Sequence, residues 1–315
     1  MPKQKTPEVT SHTGRRVFFL VFFLLLLYVI VPRLGSFSAS FDTLGTANFG
    51  YMALAVILVV ATYCLAAGTY WLVALKPLKY GRTLGIQSAS AFANRLLPAG
   101  LGGLTLSVQY LRKSGHTTTQ AAVVAAVNNL LGGAGHLLLL GLVLLASQDA
   151  ATPAFSLPDI PHGWLILGIV LGLIAVLLLV FKTLRTMIYK TAGQVAGYLA
   201  SYRKRSGRLV LGLLNSSVMT GCYALILYLS ALSLGAELSA LQVFVVFTVG
   251  VAAGTATPTP GGLVGAEAGL TAGLVAYGVD SSLALAIALL YRFLTYWLPL
   301  VPGFVIFVMV RRWYL

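Results

Sequence analysis

Carboxylates are scarce in this chain: its 315 residues hold 7 Asp and Glu against 21 Lys and Arg. Charged residues of both signs make up only 9%, while 58% are hydrophobic, more than a water-soluble domain can hide. That balance excludes a solvated globular fold and leaves an all-α polytopic membrane protein. Cysteine is nearly absent too. Cys64 and Cys222 both fall inside apolar runs and read as small buried hydrophobes, which excludes a disulfide framework and a thiolate metal site. No Ser/His/Asp set, no aspartates paired at metal spacing and no Cys/His motif is present, so no catalytic residue, metal or cofactor is expected. The formal net charge of +14 does not indicate a nucleic-acid partner, because the basic residues stand at the ends of apolar segments, as the positive-inside rule predicts.

What is abundant is apolar length. Runs of about twenty such residues, enough for a helix to cross the hydrocarbon core, predict six full crossings near 16–32, 51–75, 118–146, 163–181, 209–234 and 282–310. The first has no small-residue cleavage site after it and reads as retained. Two further apolar stretches, 83–111 and 239–277, are interrupted near their middles, and each reads as a re-entrant helical hairpin. With that topology Lys3, Lys5, Arg15, Arg16, Lys76, Lys79, Arg82, Arg112, Lys113, the basic cluster of 182–208, Arg311 and Arg312 share one face. Arg33, Asp42, Asp149, Asp159, Glu237 and Asp280 share the other. Both termini are therefore expected on the cytoplasmic side of the cell membrane.

The same topology divides the chain. A polar N-terminus at 1–15 is expected to be disordered, a first repeat covers 16–146, a proline-bearing outward linker covers 147–162, and a second repeat covers 163–312. The halves align weakly: "PAGLGGLTLS" from Pro98 with "PGGLVGAEAG" from Pro260, and "GHTTTQAAVVAAVNN" from Gly115 with "GVDSSLALAIALLYR" from Gly278. An inverted pair of repeats is a transporter signature, because two halves related by an in-plane axis can open alternately to either side. Recurrence of small residues by composition alone is the other explanation.

The second interruption, "TATPTPGGLVGAEAGL", explains why a membrane protein would break a helix. Pro258 and Pro260 each remove a donor and obstruct a continuing helix, while Gly261 and Gly262 permit unusual backbone angles. Irregular backbone survives at membrane depth only when buried in protein or lining a wet cavity. Two half-helices are expected to meet there, the second beginning around Leu263, with its amide groups and positive dipole end facing the break and suited to an anion. Gly265 belongs to the same tip. Pro98, Gly100, Gly102 and Gly103 are expected to build the matching tip of the first hairpin.

"TPTPGGLVGAEAGL" with "LYRFLTYWLPLVPG", and earlier "FANRLLPAGLGGLTLSVQYLRKSG", resemble the signature motifs of the lysylphosphatidylglycerol synthase transmembrane region, a flippase-like family, over about 16–312. The resemblance implies a lipid translocase fold. Some relatives carry a soluble aminoacyl transferase and move aminoacylated phosphatidylglycerol; stand-alone members are tied to polyprenyl-linked sugars or other anionic lipids. The present sequence shows no such transferase region, so lysyl transfer is not expected. Where the family places an acidic residue after the glycine of its first motif and an acidic-basic pair in the next helix, this chain has Gly103 followed by leucine, and Asn128-Asn129. Any site must then be asymmetric.

Glu267 is the one carboxylate within the assigned spans, and a charge at the bilayer centre costs roughly 2.5–3.5 kcal/mol on insertion scales. Arg292 is its expected partner, with Arg95 from the other hairpin the second candidate. Two arginines against one glutamate leave a positive site suited to a lipid phosphate. Asn94, Asn128, Asn129, Thr259 and Tyr291 complete the expected binding set. A buried ion pair that merely pins the hairpin is the structural alternative. Lone His136 reads as hydrogen-bonded core, and Tyr296 and Trp297 as packing.

The reading is thus a lipid transporter moving an anionic phospholipid or polyprenyl-phosphate headgroup. A non-catalytic partner of an envelope lipid or glycosyltransferase complex, an oligomeric assembly, and an intramembrane lipid-phosphate enzyme remain the alternatives.

Overall fold

The computed structural model describes residues 45–96, 101–146, 193, 196–203, 205–257 and 259–314. Among them the regular elements are all helical: α1 (Phe49–Val73), α2 (Tyr80–Leu96), α3 (Leu101–Lys113), α4 (Thr118–Ala146), α5 (Ser206–Ser233), α6 (Ala240–Ala256), α7 (Gly265–Ala276), α8 (Ser281–Arg292) and α9 (Leu300–Tyr314). A 3-10 turn at Pro260–Gly262 precedes α7, and a π turn at Phe293–Trp297 joins α8 towards α9. Among the described residues, Phe49–Val73, Thr118–Val143, Ser206–Ser233 and Ser281–Val310 are the 4 segments long and apolar enough to cross a membrane. They coincide with four of the expected crossings. Those at 16–32 and 163–181, the N-terminal 1–15 and the linker 147–162 lie outside the described residues.

α1 and α5 form the antiparallel centre, with Thr69 and Asn215 side chains hydrogen-bonded at 2.8 Å and the Asn48 amide donating to the Ser233 carbonyl at 2.9 Å. Outward-facing Ile57, Val60, Leu130, Leu137 and Val301 stay exposed, as expected of helices whose solvent is lipid. One apolar core gathers Val59, Leu227, Phe247, Leu270, Ile287 and Leu294; a second gathers Val73, Ile86, Tyr110, Leu111, Val124 and Val310.

The two interrupted stretches are antiparallel helix pairs, α2 with α3 and α6 with α7. Small residues allow the close approach. A methyl group on Gly269 would lie 2.6 Å from the Ala253 side chain, and one on Gly250 2.6 Å from Leu270. The pairs enter the bundle from opposite ends. The base of α2–α3 lies beside the end of α1, where the buried Tyr202 hydroxyl donates to the Val73 carbonyl at 2.6 Å and Val310 of α9 packs over Gly85. The base of α6–α7 adjoins the opposite ends of α5 and α8. At 12 residues α7 is only about 18 Å long, short of the ~30 Å hydrocarbon thickness.

Both bases use one chain reversal. Gly115 (φ 90°) and Gly278 (φ 85°) end α3 and α7 in the left-handed region, and the residue after each donates its amide to Leu111 or Leu274, a Schellman ending. His116 and Val279 fill that position. The next helices start on side-chain caps: Thr117 and Gln120 cap each other's amides, and Asp280 accepts from Ser282 and Leu283.

His116 is buried in the first reversal. Its Nε2 accepts the Lys76 amide at 3.0 Å and its Nδ1 faces the Leu111 carbonyl at 3.0 Å, so the neutral Nδ1–H tautomer satisfies both. Burial lowers its pKa below the ordinary histidine value, with nearby Lys76 acting in the same direction. A depressed imidazole pKa stabilises the fold fully above the unfolded value of about 6.5, and that contribution drains as pH falls below it. The thermal midpoint in detergent should fall on acidification from about pH 7.5 to 5.5, and His116→Gln should flatten that segment of the profile.

Candidate functional site

The site starts with missing amide hydrogens. Pro299 has no donor for the Thr295 carbonyl four residues earlier, and the helix widens there: Leu298 donates to the Phe293 carbonyl at 2.8 Å, a π spacing. The freed Thr295 carbonyl accepts from Arg95 Nη2 at 2.7 Å. The expected crossing near 282–310 is present as Ser281–Val310 and carries a π turn at mid-length, where the Tyr296 side chain is buried.

Arg95 ends α2. Its Nη2 also donates to the Tyr63 hydroxyl at 3.1 Å, and the Tyr296 hydroxyl donates to the Arg95 carbonyl at 3.0 Å, satisfying a helix-end acceptor. Tyr63 is near the middle of α1, and Thr295 near the middle of Ser281–Val310, so the Arg95 end of α2 stands at mid-depth of the bundle.

The second tip reaches the same level from the other end. Gly261 (φ 60°), Gly262 (φ 64°) and, unusually, Val264 (φ 74°) turn the chain through left-handed conformations. The helix begins at Gly265 rather than at Leu263 as expected, because Leu263 and Val264 are consumed by this turn and the Thr259 hydroxyl holds the Leu263 carbonyl at 2.7 Å. Gly261 packs on the Tyr296 ring, Gly262 on the Gly254 backbone, and Gly265 on Thr257 and the Ala253 carbonyl. Pro260 is buried in the 3-10 turn. Pro98, Gly100 and Pro258 lie outside the described residues. In the first hairpin Gly102 packs on Ala93, and the Gly103 amide donates to Asn94 Oδ1 at 2.6 Å, so a side chain of the incoming helix caps the outgoing one.

Glu267 occupies the first turn of α7, where the helix dipole favours a carboxylate. Its Oε1 accepts from Arg292 Nε at 2.7 Å, the two side chains being 13% and 11% exposed. Arg292 Nη2 donates to the Gly261 carbonyl at 2.9 Å, and its guanidinium stands 4.6 Å from the Tyr296 ring centroid, with Arg95 at 5.7 Å from the same ring. Tyr296 thus sits against both cations. From sequence Tyr296 reads as packing, against a headgroup or at an interface, and Tyr63 carries no motif; a proline three residues after Tyr296 and a tyrosine midway along an apolar run are the available signals.

A cavity of about 550 Å³ opens along the α6–α7 pair, lined chiefly by that pair, Thr257, Thr259 and Gly261 included, with Tyr291 and Arg292 of α8, and reached from α2 by Asn94. Of the expected binding set, Asn94, Thr259, Tyr291 and Arg292 line this space, Glu267 stands behind Arg292, and Arg95 is joined through Tyr296. Asn128 and Asn129 are not brought into it: Asn128 Nδ2 donates to Asn129 Oδ1 at 3.5 Å on the exposed side of α4. Neither amide carries a charge that would demand a buried ion partner, as Glu267 demands Arg292. His136 is half-buried and hydrogen-bonded as expected, 3.2 Å from the Thr248 hydroxyl, with the Phe244 and Phe247 rings each tilted against it at 5.7 Å between centroids.

Among known proteins the chain is similar to a UPF0104 membrane protein of Pyrococcus horikoshii, at 31% identity over 109 residues, 35% of this chain and 32% of that one. The match spans about a third of that relative's length. The sequence model described as Lysylphosphatidylglycerol synthase TM region matches residues 16–303, which include both hairpins, the π turn and the Glu267–Arg292 pair. A chain matched over that extent belongs to the lysylphosphatidylglycerol synthase transmembrane-region family.

Proposed function

We propose that the protein moves an anionic lipid headgroup, of phospholipid or polyprenyl-phosphate type, across the cell membrane through the cavity along its α6–α7 pair. One observation carries the reading: the guanidinium of Arg292 stands on the wall of a cavity of about 550 Å³, at the level reached by the Arg95 end of α2 and the Pro260–Gly262 turn. That volume falls within the usual range of ligand pockets. Backbone irregular at this depth needs protein or water around it, and a planar guanidinium is matched to phosphate oxygens.

In this reading both helix pairs are re-entrant and form an inverted repeat. Support comes from their opposite entry, the shared glycine reversals at Gly115 and Gly278, and the capped helix that follows each. The repeat is chemically unequal, since Asn128-Asn129 align with Tyr291-Arg292. The end bearing Lys76, Lys79, Arg82, Arg112, Lys113, Arg205 and Arg208 is then cytoplasmic, and that bearing Glu237 and Asp280 faces outward. The protein acts as a carrier, not a catalyst.

Reconstitution tests it. Vesicles containing the protein and a fluorescent phosphatidylglycerol should lose inner-leaflet protection of the dye against an external quencher, faster than protein-free vesicles. Folded protein that leaves protection intact for this lipid and for a polyprenyl phosphate would overturn the reading and favour an assembly role.

A further inference from the structure

The two helix pairs are closed by different chemistry. Along α2, Thr83, Gln87, Ser90 and Asn94 recur at steps of four, three and four residues, which places them on one helix face. That face is turned to α3. The Thr83 hydroxyl lies 2.8 Å from that of Tyr110, Gln87 Nε2 donates to Ser107 Oγ at 3.3 Å, the Ser90 and Ser107 hydroxyls are 3.3 Å apart, and Asn94 Oδ1 accepts the Gly103 amide at 2.6 Å. Thr83, Gln87, Ser90, Ser107 and Tyr110 are each at most 8% exposed. A buried polar seam thus runs along the first hairpin. At one end Asn94 lines the cavity together with Arg292; at the other the seam reaches the base that carries the exposed Lys79, Arg82, Arg112 and Lys113.

The α6–α7 pair has no such seam. Gly250 meets Leu270, Gly254 meets Ala266 and Gly269 meets Ala253, and among the described residues no side-chain hydrogen bond joins the two helices. This difference decides which pair water can enter. Parting small apolar residues exposes surface and recovers nothing, whereas hydroxyls and amides that part exchange protein partners for water at little net cost. The two central bonds of the seam, at 3.3 Å, are already long.

From this asymmetry, and resting on the reading of the cavity as a headgroup site, we infer that the α2–α3 seam is the further half of the headgroup path, between the cavity and the basic end. When α2 and α3 part, the Thr83, Ser90 and Ser107 hydroxyls and the Gln87 amide offer donors to phosphate oxygens and to the water that accompanies them. The α6–α7 pair stays shut as the fixed wall. Glue between membrane helices is the ordinary use of such side chains, and two measurements separate the roles.

For the first, the full chain carrying Cys64→Ala and Cys222→Ala is reconstituted in phosphatidylglycerol vesicles with one near-isosteric exchange in either seam. These are Ser107→Cys between α2 and α3, and Val246→Cys, fully buried against Gly273, between α6 and α7. A charged methanethiosulfonate reagent on both sides of the membrane should label Ser107→Cys at least about tenfold faster than Val246→Cys. For the second, Gln87→Met/Ser90→Ala/Ser107→Ala removes the bonded partners together, which leaves stability close to that of the unaltered protein. This variant should still bind short-chain phosphatidylglycerol at the cavity and should lose lipid movement. Ser107→Cys as unreactive as Val246→Cys, in vesicles where it still moves lipid, overturns the inference while leaving the headgroup site intact. Unchanged lipid movement in the triple variant overturns it equally, by showing the seam to be glue alone. Unaltered protein that neither binds short-chain phosphatidylglycerol nor moves lipid overturns the headgroup site and the inference with it.

Discussion

Gly262→Ala should destabilise the protein by about 3 kcal/mol, combining a left-handed backbone cost of roughly 1–2 kcal/mol with a similar cost of overpacking. Gly262 has φ 64°, and its added methyl group would lie 2.5 Å from the Gly254 carbonyl oxygen and 2.8 Å from Gly254 Cα. Backbone stands on both sides, so no side-chain rotation relieves the contact. The α6–α7 pair must part, and the expected readout is a lowered thermal midpoint in detergent together with loss of lipid movement. Gly261→Ala should act on the site as well. Its methyl group would press on the Tyr296 ring, which is held by the Arg95 carbonyl and by two guanidinium groups. Gly261, at φ 60°, carries the same backbone cost, so the variant should lose stability comparably and in addition displace the ring that both arginines face, lowering transport. Gly221→Ala is the control: inside α5 its methyl group meets only Leu139 Cδ1 at 3.9 Å, and helix propensity favours alanine by up to about 1 kcal/mol. If Gly262→Ala melts like that control, the tip is not the close-packed break described above.

Arg292→Ala has the second large effect, because it leaves Glu267 buried without its cation. Breaking a buried pair from one side costs about 3–5 kcal/mol, whereas removing both partners is often nearly neutral. The double variant Glu267→Ala/Arg292→Ala should therefore recover much of the stability lost in Arg292→Ala, the coupling being read as a double-mutant cycle. Transport should not recover, since the guanidinium on the cavity wall is gone in both. That divergence separates a binding role from a purely structural ion pair. Return of lipid movement in the double variant would show the pair to be only a fastener. Arg292→Lys should fall short of the unaltered protein, as one ammonium cannot reach Glu267 and the Gly261 carbonyl while lying flat over Tyr296.

Much of the site was legible in residue identities. A carboxylate at 267 inside an apolar run must find a cation, and Arg292, in the next helix, is the cation it found. Glycine pairs beside prolines read as a break, and the break is there at Pro260–Gly262. Asn128 and Asn129 show the limit of this reasoning. Their alignment with Tyr291-Arg292 places them at corresponding positions, yet Asn128 is half-buried and Asn129 exposed on α4, away from the cavity, and the two amides bond one another. Arg95 shows another limit: among the described residues it meets no carboxylate, and its partners are a carbonyl released by Pro299 and a hydroxyl on α1, distant in sequence.

The sequence by itself determined the solvent, the four described crossings, the two interruptions and the pairing of Glu267 with Arg292, because burying apolar length and neutralising a charge are demands each segment carries alone. The tertiary structure alone decided that the Arg95 end of α2 and the Pro260–Gly262 turn reach one level, that Tyr296 stands against two arginines, and that the segment Ser281–Val310 widens into a π turn. Those outcomes depend on which carbonyl a proline frees and which side chain lies close enough to claim it, and such proximity arises only when helices distant in the chain pack together.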